Sequence, residues 1–506
     1  MLARIRNLSD SSQVAKSDIS LSSTQVELDL EMLQILDRKN VQEIHSSALQ
    51  VLEKTGIVID HADALKALRG AGVKIDQDRK LARFPRRVVQ EYVHKSPSHF
   101  VQAGRNRKHD LLVKPGSVFA RSLSGCSHIL DIETGLCREA TTEDTKDGAR
   151  ILDSLDNIHF CGGWIYPGDE HPSYRDVSLF KIFLENSEKH ICLQAYQGRN
   201  LEFMIEMGKV VQGGEKELRR RPILSVVLAP SSPLRLGKFM IDQLDLAGRY
   251  GIPALFCSTP IAGATSPITL AGQLVMLHAE NLAGVAISQM LHPGAPVVYG
   301  PRPNTMDMRT GNASWGSIEF GIMSAACVQL GHYCGLPVDT YSLGSDSKSL
   351  DEQAAVERSL NLALPALAGA DLLTGAGFIE TIRTASFAQA VIDNEILGML
   401  YRTIRGVNVN DDTLALRLID RIGPGGSYLA DKHTRKHVLS EHFIPTIFDR
   451  NVRETWERKG ARDAVQTAKE KVQEILAKHQ PNELDKAVQG DLDSIMTRAK
   501  QALYGA

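Results

Sequence analysis

From about Ser117 onward, short apolar runs alternate with longer segments whose apolar residues recur every three or four positions. The runs cover residues 118–122, 158–166, 190–197, 223–229, 254–258, 297–299, 338–342 and 372–374. The segments between them cover 142–155, 174–187, 201–211, 236–250, 270–291, 318–333 and 351–368, and a last one covers 387–404. Runs that are apolar throughout predict strands buried on both faces, and the longer periodic segments predict the helices that cover them. Gly251-Ile252-Pro253, Gly294-Ala295-Pro296 and Gly335-Leu336-Pro337 each stand just before a strand. Each reads as one turn, in which Gly stops the helix and Pro leads into the strand. About eight β-then-α units close a (β/α)8 barrel, so the expected fold class is α/β, a TIM barrel over 117–406. An open doubly wound sheet is the alternative, but no Gly-x-Gly-x-x-Gly follows a first strand to support it.

The flanks carry a different pattern. Residues 1–30 are polar and Ser-rich and read as a flexible arm. In 31–116, Leu33, Leu36, Val41, Ile44, Leu49 and Leu52 follow a helical period that Thr55-Gly56 stops. A short strand at 57–59, a helix at 62–69 and a helix at 86–94 behind Pro85 complete an expected α+β extension. After Arg405 the chain becomes turn-rich, with Gly423-Pro424-Gly425-Gly426, and then polar and helical to the end. Pairs such as Glu470/Lys471 and Glu474/Lys478 mark 407–506 as a helical extension that wraps the barrel or a second subunit.

Composition changes this picture little. The 506 residues are 43% hydrophobic and 23% charged, with a formal net charge of −2, which gives no electrostatic footprint for nucleic acid. The longest apolar segment, 270–291, is interrupted by Gln273, His278, Glu280 and Asn281, so no membrane span is expected. The first residues lack the apolar core of a signal peptide, and the expected location is the cytoplasm. Seven cysteines form no Cys-x-x-Cys pair and read as free thiols.

In a barrel the chemistry sits at the C-terminal ends of the strands. Trp164, Tyr166, Tyr196, Tyr299 and Tyr341 fall there, although aromatics are only 6% of the chain. Their faces suit a cationic ligand at about 0.5–2 kcal/mol per contact; strand propensity is the plainer explanation. Arg121, Arg302 and Lys348 can bind a carboxylate, or can simply pair with Asp131, Asp307 and Asp346. Zinc ligands would come from Cys126 with His128, His190 with Cys192, Cys257, or His332 with Cys334; no three converge by spacing, and no bound metal is expected. Ser349-Leu350-Asp351-Glu352 has the form of a capping box with Ser349 at the N-cap.

The segments SDSKSLDEQAAVE (345–357), LPALAGADLLTGAGFIE (364–380), VIDNEIL (391–397) and GPGGSYLADKHTRKH (423–437), followed by IPTIFDR and WERKG, resemble the trimethylamine methyltransferase (MttB) superfamily. The N-terminal runs IHSSALQVLEKTGIVI, AGVKID and FPRRVVQEYVHKSP are similar to it as well, so the resemblance extends from about Val41 to the end. It implies a barrel enzyme that passes a methyl group from an amine to Co(I) of a corrinoid protein. Founding members carry pyrrolysine in the loop corresponding to Lys348-Ser349-Leu350, where this chain has standard residues. That departure points away from trimethylamine and toward a quaternary amine such as glycine betaine. A quaternary nitrogen leaves as a neutral amine, so the transfer needs neither a proton donor nor a metal ligand set. By this resemblance Glu380, Ser349 and Leu350 are the catalytic candidates. Trp164, Tyr166, Tyr196, Tyr299, Arg302, Tyr341, Lys348 and Arg121 are the substrate-binding ones. The expected partner is a corrinoid protein, and the enzyme is expected to be a homo-oligomer. Two other readings compete: a barrel lyase with Lys348 as a Schiff-base nucleophile, and an inactive family member that only binds a quaternary amine.

Overall fold

The three Gly-x-Pro turns show how local chemistry starts the architecture. Gly251, Gly294 and Gly335 take φ of +66°, +83° and +73°, the left-handed region that favours glycine. The carbonyls of Pro253, Pro296 and Pro337 then accept the first ladder bonds from Val226, Ala254 and Tyr299 on neighbouring strands. Proline has no N–H to lose at these positions, and its carbonyl is put to use.

The computed structural model describes residues 32–196 and 199–504; the expected arm at 1–30 lies outside them, and so does Gln197. Eight parallel strands carry the fold: β1 (Phe119–Ser122), β2 (Cys161–Gly162), β3 (Ile191–Leu193), β4 (Leu224–Leu228), β5 (Ala254–Phe256), β6 (Val297–Tyr299), β7 (Asp339–Tyr341) and β8 (Leu372–Ala376). Strands β2 to β6 pair in order in one sheet, and β7, β8 and β1 form a second. Single parallel bridges join the two, Arg121 with Phe160 and Tyr299 with Val338, so the order of pairing returns to β1. The helices that follow the strands are α1 (Thr142–Ser154), α2 (Arg175–Asn186), α3 (Asn200–Gln212), α4 (Lys238–Tyr250), α5 (Leu270–Leu291), α6 (Ile318–Tyr333), α7 (Glu352–Leu367) and α8 (Phe387–Ile404). The molecule is an α/β fold with its strands inside and its helices outside.

The N-terminal region forms the helices Arg38–Gln50, Ala62–Gly70 and Arg86–Val93 and a small sheet of Ile57–Ile59, Lys74–Asp76 and Leu81–Arg83. Ile57–Ile59 also pairs with Arg235–Leu236 after β4, which ties this region to the strands. Helices Arg38–Gln50 and Arg86–Val93 pack on α5. That explains why α5 is apolar nearly all round: it is long and apolar enough to cross a membrane, yet most of it, 277–289 above all, is buried within the protein. A hairpin the sequence pattern did not reveal, Phe100–Gln102 with Leu111–Val113, sends Leu111 and Val113 into the interior of the strand ring. His190 at the start of β3 reaches this hairpin region through the Ala103 carbonyl, so the plug lies at the N-terminal end of the strands.

The last helices lie on the outside. Ala464–Lys478 packs against α8 and α1, and Lys486–Leu503 against α3 and α2. Glu470 pairs with Arg462, not with Lys471 as the sequence suggested, while Glu474 does pair with Lys478. The capping-box reading of Ser349 is corrected too. Asp351 is the N-cap of α7 and accepts from the Ala354 N–H, and Ser349 Oγ only donates to the Asp351 carboxylate at 2.7 Å.

Candidate functional site

Alternate residues of a strand share a face. Phe119 and Arg121 of β1 therefore point one way, as do Asp339 and Tyr341 of β7. The lower interior of the strand ring is apolar: Phe119, Phe160, Leu255, Val298 and Leu372 pack with Leu111 and Val113 of the plug. Above that floor the character changes abruptly. The Arg302 guanidinium donates to the Asp339 carboxylate at 2.5 Å and to the Asp339 carbonyl at 2.8 Å. Arg121 lies 3.6 Å from the same carboxylate. Thr374 Oγ1 of β8 donates to its other oxygen at 2.7 Å. Arg121, Arg302 and Asp339 are 1%, 2% and 0% exposed.

Two guanidiniums thus share one carboxylate out of reach of water, leaving one net positive charge. Burial pulls the Arg302 pKa down, but Asp339 outweighs it and the net direction is up. Both arginines stay charged. Arg121 Nη1 donates to Ser124 Oγ at 3.1 Å, while its Nε has no hydrogen-bond partner among the described residues. An orphaned charged donor in a dry place is costly unless a ligand meets it. The Arg302 guanidinium also stacks 4.4 Å from the Tyr341 ring centroid, and Tyr341 packs on Trp315 at 4.9 Å. Burial pushes the Tyr341 hydroxyl up despite Arg302 beside it, so the ring stays neutral.

Only some of the expected residues meet here. Arg121, Arg302 and Tyr341 do. They do not pair with Asp131 or Asp307, which hold Arg138 and Arg309 instead. Tyr166 and Tyr196 form a second aromatic pair, 5.2 Å between centroids, with Tyr196 43% exposed. Trp164 is fully buried against Phe387 of α8, between strands and helices. Tyr299 also faces outward, its hydroxyl 2.8 Å from His278 of α5. Both depart from the expected cage: the alternation that turns Val298 inward turns Tyr299 to the helix side, and Trp164 lies two residues beyond the end of β2, where the chain has left the strand.

The loop after β7 is built on acidic anchors. Asp346 holds the Ser314 hydroxyl, the Trp315 N–H and the Thr381 hydroxyl, and Glu357 holds Ser345 and the Asp346 N–H. Lys348 is exposed and donates to the Asp346 carbonyl at 2.8 Å. Lys348, Ser349 and Leu350 line a cavity of about 210 Å3 with Leu130, Ser386 and Val465, apart from the charged cluster. Glu380 accepts from Thr384 Oγ1 at 2.6 Å in the turn after β8, and its N–H donates to the Ser347 carbonyl. That turn is strained: Glu380, Thr381 and Ile382 take φ of +55°, +52° and +66° in succession. An apolar groove of about 650 Å3 lies between α7 and α8, apart from the Arg121–Arg302–Asp339 cluster. Charge convergence, not size, marks the site.

Asp339, Thr374 and Trp315 are the participants that sequence reasoning missed. Asp339 carried a signal, since it lies two residues before Tyr341 on the same face and is a charge inside an apolar run. Trp315 carried none, because it comes from the loop after β6 and reaches Tyr341 only through tertiary packing.

The family profile described as trimethylamine methyltransferase (MTTB) matches residues 4–503. The trimethylamine methyltransferase MttB of Desulfitobacterium hafniense (strain DSM 10664 / DCB-2) is 35% identical over 426 residues, covering 84% of this chain and 86% of the relative. The glycine betaine methyltransferase of Desulfitobacterium hafniense (strain Y51) is 29% identical over 415 residues, 82% of this chain and 86% of that one. Among solved structures, the Methanosarcina barkeri monomethylamine methyltransferase (MtmB) aligns with a TM-score of 0.51 at 10% identity, over 92% of this chain and 88% of that one, a likeness of fold. On the full-length profile match and the identity to these relatives, the chain belongs to the trimethylamine methyltransferase (MttB) family and is a methyltransferase.

Proposed function

We propose that this chain is a (β/α)8-barrel enzyme that moves a methyl group from a quaternary amine bearing a carboxylate, glycine betaine or a close analogue, to the cobalt of a corrinoid protein. The barrel reading rests on the order of strand pairing, which returns to β1. The substrate reading rests on one observation: Arg121 and Arg302 share the single carboxylate of Asp339, and Arg121 Nε is left without a partner. Trimethylammonium would bring only more positive charge to this place. A betaine brings the missing anion, and guanidinium is well shaped to receive it. The standard residues at Lys348, Ser349 and Leu350 and the similarity to a glycine betaine methyltransferase agree with that choice.

The corrinoid fits the same end. The hairpin plug closes the N-terminal side of the strands, whereas Tyr196 is exposed at the C-terminal side, where a bulky partner can dock. When bound, the corrinoid supplies the nucleophile for the methyl carbon. The chain's own residues do the rest. Arg121 and Arg302 hold the carboxylate, and the Tyr341 and Trp315 rings offer their faces to the ammonium. Burial excludes water, and a fixed orientation contributes several kcal/mol by proximity. The exposure of Lys348 weighs against a Schiff-base lyase. Free cob(I)alamin mixed with the enzyme and glycine betaine should give methylcobalamin. Arg121→Met should raise KM for glycine betaine at least tenfold while leaving choline, which lacks the carboxylate, nearly unaffected. Methyl transfer from trimethylamine but from no betaine would overturn the reading, and tight betaine binding without turnover would identify a binder.

A further inference from the structure

We infer a metal site outside the catalytic centre, formed by His45, His278 and Cys334, that takes a borderline-soft divalent cation of the zinc class. Three elements distant in sequence bring these residues together: the helix Arg38–Gln50, α5, and the C-cap of α6. His45 Nδ1 lies 2.9 Å from His278 Nε2 and 3.8 Å from Cys334 Sγ, and all three candidate ligand atoms lie within 4.8 Å of one another. Nitrogen ligands at about 2.0–2.1 Å and sulfur at about 2.3 Å from a tetrahedral centre lie about 3.3–3.6 Å apart, so the two nitrogens part slightly and the sulfur closes in to hold an ion. A His2Cys set with one position left for solvent suits zinc and is too soft for magnesium or calcium.

The surroundings support a ligand role. Tyr299 Oη lies 2.8 Å from His278 Nδ1, and in the tautomer protonated at Nδ1 it accepts that hydrogen bond and leaves Nε2 free to bind a metal. An outer partner of this kind is the usual companion of a metal-bound histidine. His278 is fully buried, and Cys334 and His45 are half-buried, so an ion can enter from one side only. Without an ion, the Cys334 thiol has only the long contact to His45 among the described residues. With one, the thiol gives up its proton to solvent and binds as thiolate. The sequence paired Cys334 with His332, but His332 is engaged by Asp371 at 2.9 Å. The site lies on the helix side of β6, since Tyr299 turns away from the strand interior, so its work is to fasten the N-terminal helix to the strands.

The test uses the full chain, stripped of metal by a chelator and titrated with Co(II) and then Zn(II). An exposed cluster of Asp412, His433 and His437 could also take an ion, so the titrations are run on His433→Ala/His437→Ala protein. The expected result is one equivalent of tightly bound Co(II) with the near-ultraviolet thiolate charge-transfer band and tetrahedral visible bands. Zn(II) should displace it and raise the melting temperature. Cys334→Ser should abolish the thiolate band, and His45→Ala should weaken binding at least tenfold. Both variants should keep the circular dichroism of the parent. No bound Co(II), or a thiolate band that survives Cys334→Ser, would overturn the assignment.

Discussion

Asp339 is the residue on which the buried charge depends. It is the only carboxylate within salt-bridge distance of Arg121 and Arg302 among the described residues. Removing its charge leaves two guanidiniums buried and unpaired, a change that costs about 3–5 kcal/mol. Asp339→Asn should therefore lower stability by that amount in a denaturant melt. Thr374→Val, which removes only one hydrogen bond to the same carboxylate, should cost about 1–2 kcal/mol. Equal losses in the two variants would contradict this view of the cluster. The buried histidines give a pH signature. Burial pushes His159 and His190 down to about 3. An unfolded chain takes up these protons near 6.5, the folded chain only near 3. Their contribution is therefore complete above about pH 6.5 and is lost as pH falls from there toward about 3. Melts at about pH 7 and about pH 5 should differ by about 4 kcal/mol, about 2 from each histidine, and His190→Gln should roughly halve the slope. A profile of His190→Gln as steep as the parent's would assign the acid sensitivity elsewhere.

At the scale of elements, most helix bounds followed from local chemistry, while several strands are shorter than the apolar runs that predicted them. The helices expected at 270–291 and 318–333 occur with those bounds, because their long apolar character and the Gly-x-Pro turns that follow them are local features of the sequence. The N-cap of α7 was misread because Ser349 and Asp351 are both good caps, and only the backbone decides which one has the extended conformation. Asp351→Ala should cost about 1 kcal/mol, and Ser349→Ala clearly less; thermal melts of the two variants distinguish the two caps. Close contact between elements sets a further limit. A Cβ at Gly284 of α5 would lie 2.2 Å from the Phe256 ring of β5. Gly284→Ala should destabilise by about 1–3 kcal/mol through overpacking, measured in the same way.

The whole molecule is held by its flanks as much as by its strands. The C-terminal helices bury Ala468, Val472 and Ile475 on α8 and α1, and Leu492, Ile495 and Leu503 on α3 and α2. A chain ending at residue 463 would expose these apolar faces and should aggregate or melt well below the parent, as light scattering during a thermal ramp would show. The alternation of strand and helix and the family membership were legible in the chain, because periodicity, turn residues and contiguous motifs are local properties. Arg121, Arg302 and Tyr341 were legible as strand-end residues. Which way each side chain points was not. Tyr299 sits at a strand end as Tyr341 does, yet it faces the helices, since a shift of one residue along a strand reverses its face, and Trp164 lies past the end of β2 against Phe387. The pairing of both arginines with Asp339, and the meeting of His45, His278 and Cys334, join positions tens to hundreds of residues apart. Their proximity is fixed only when eight strands pair in order and the N-terminal helix docks on α5, so only the tertiary structure decided it.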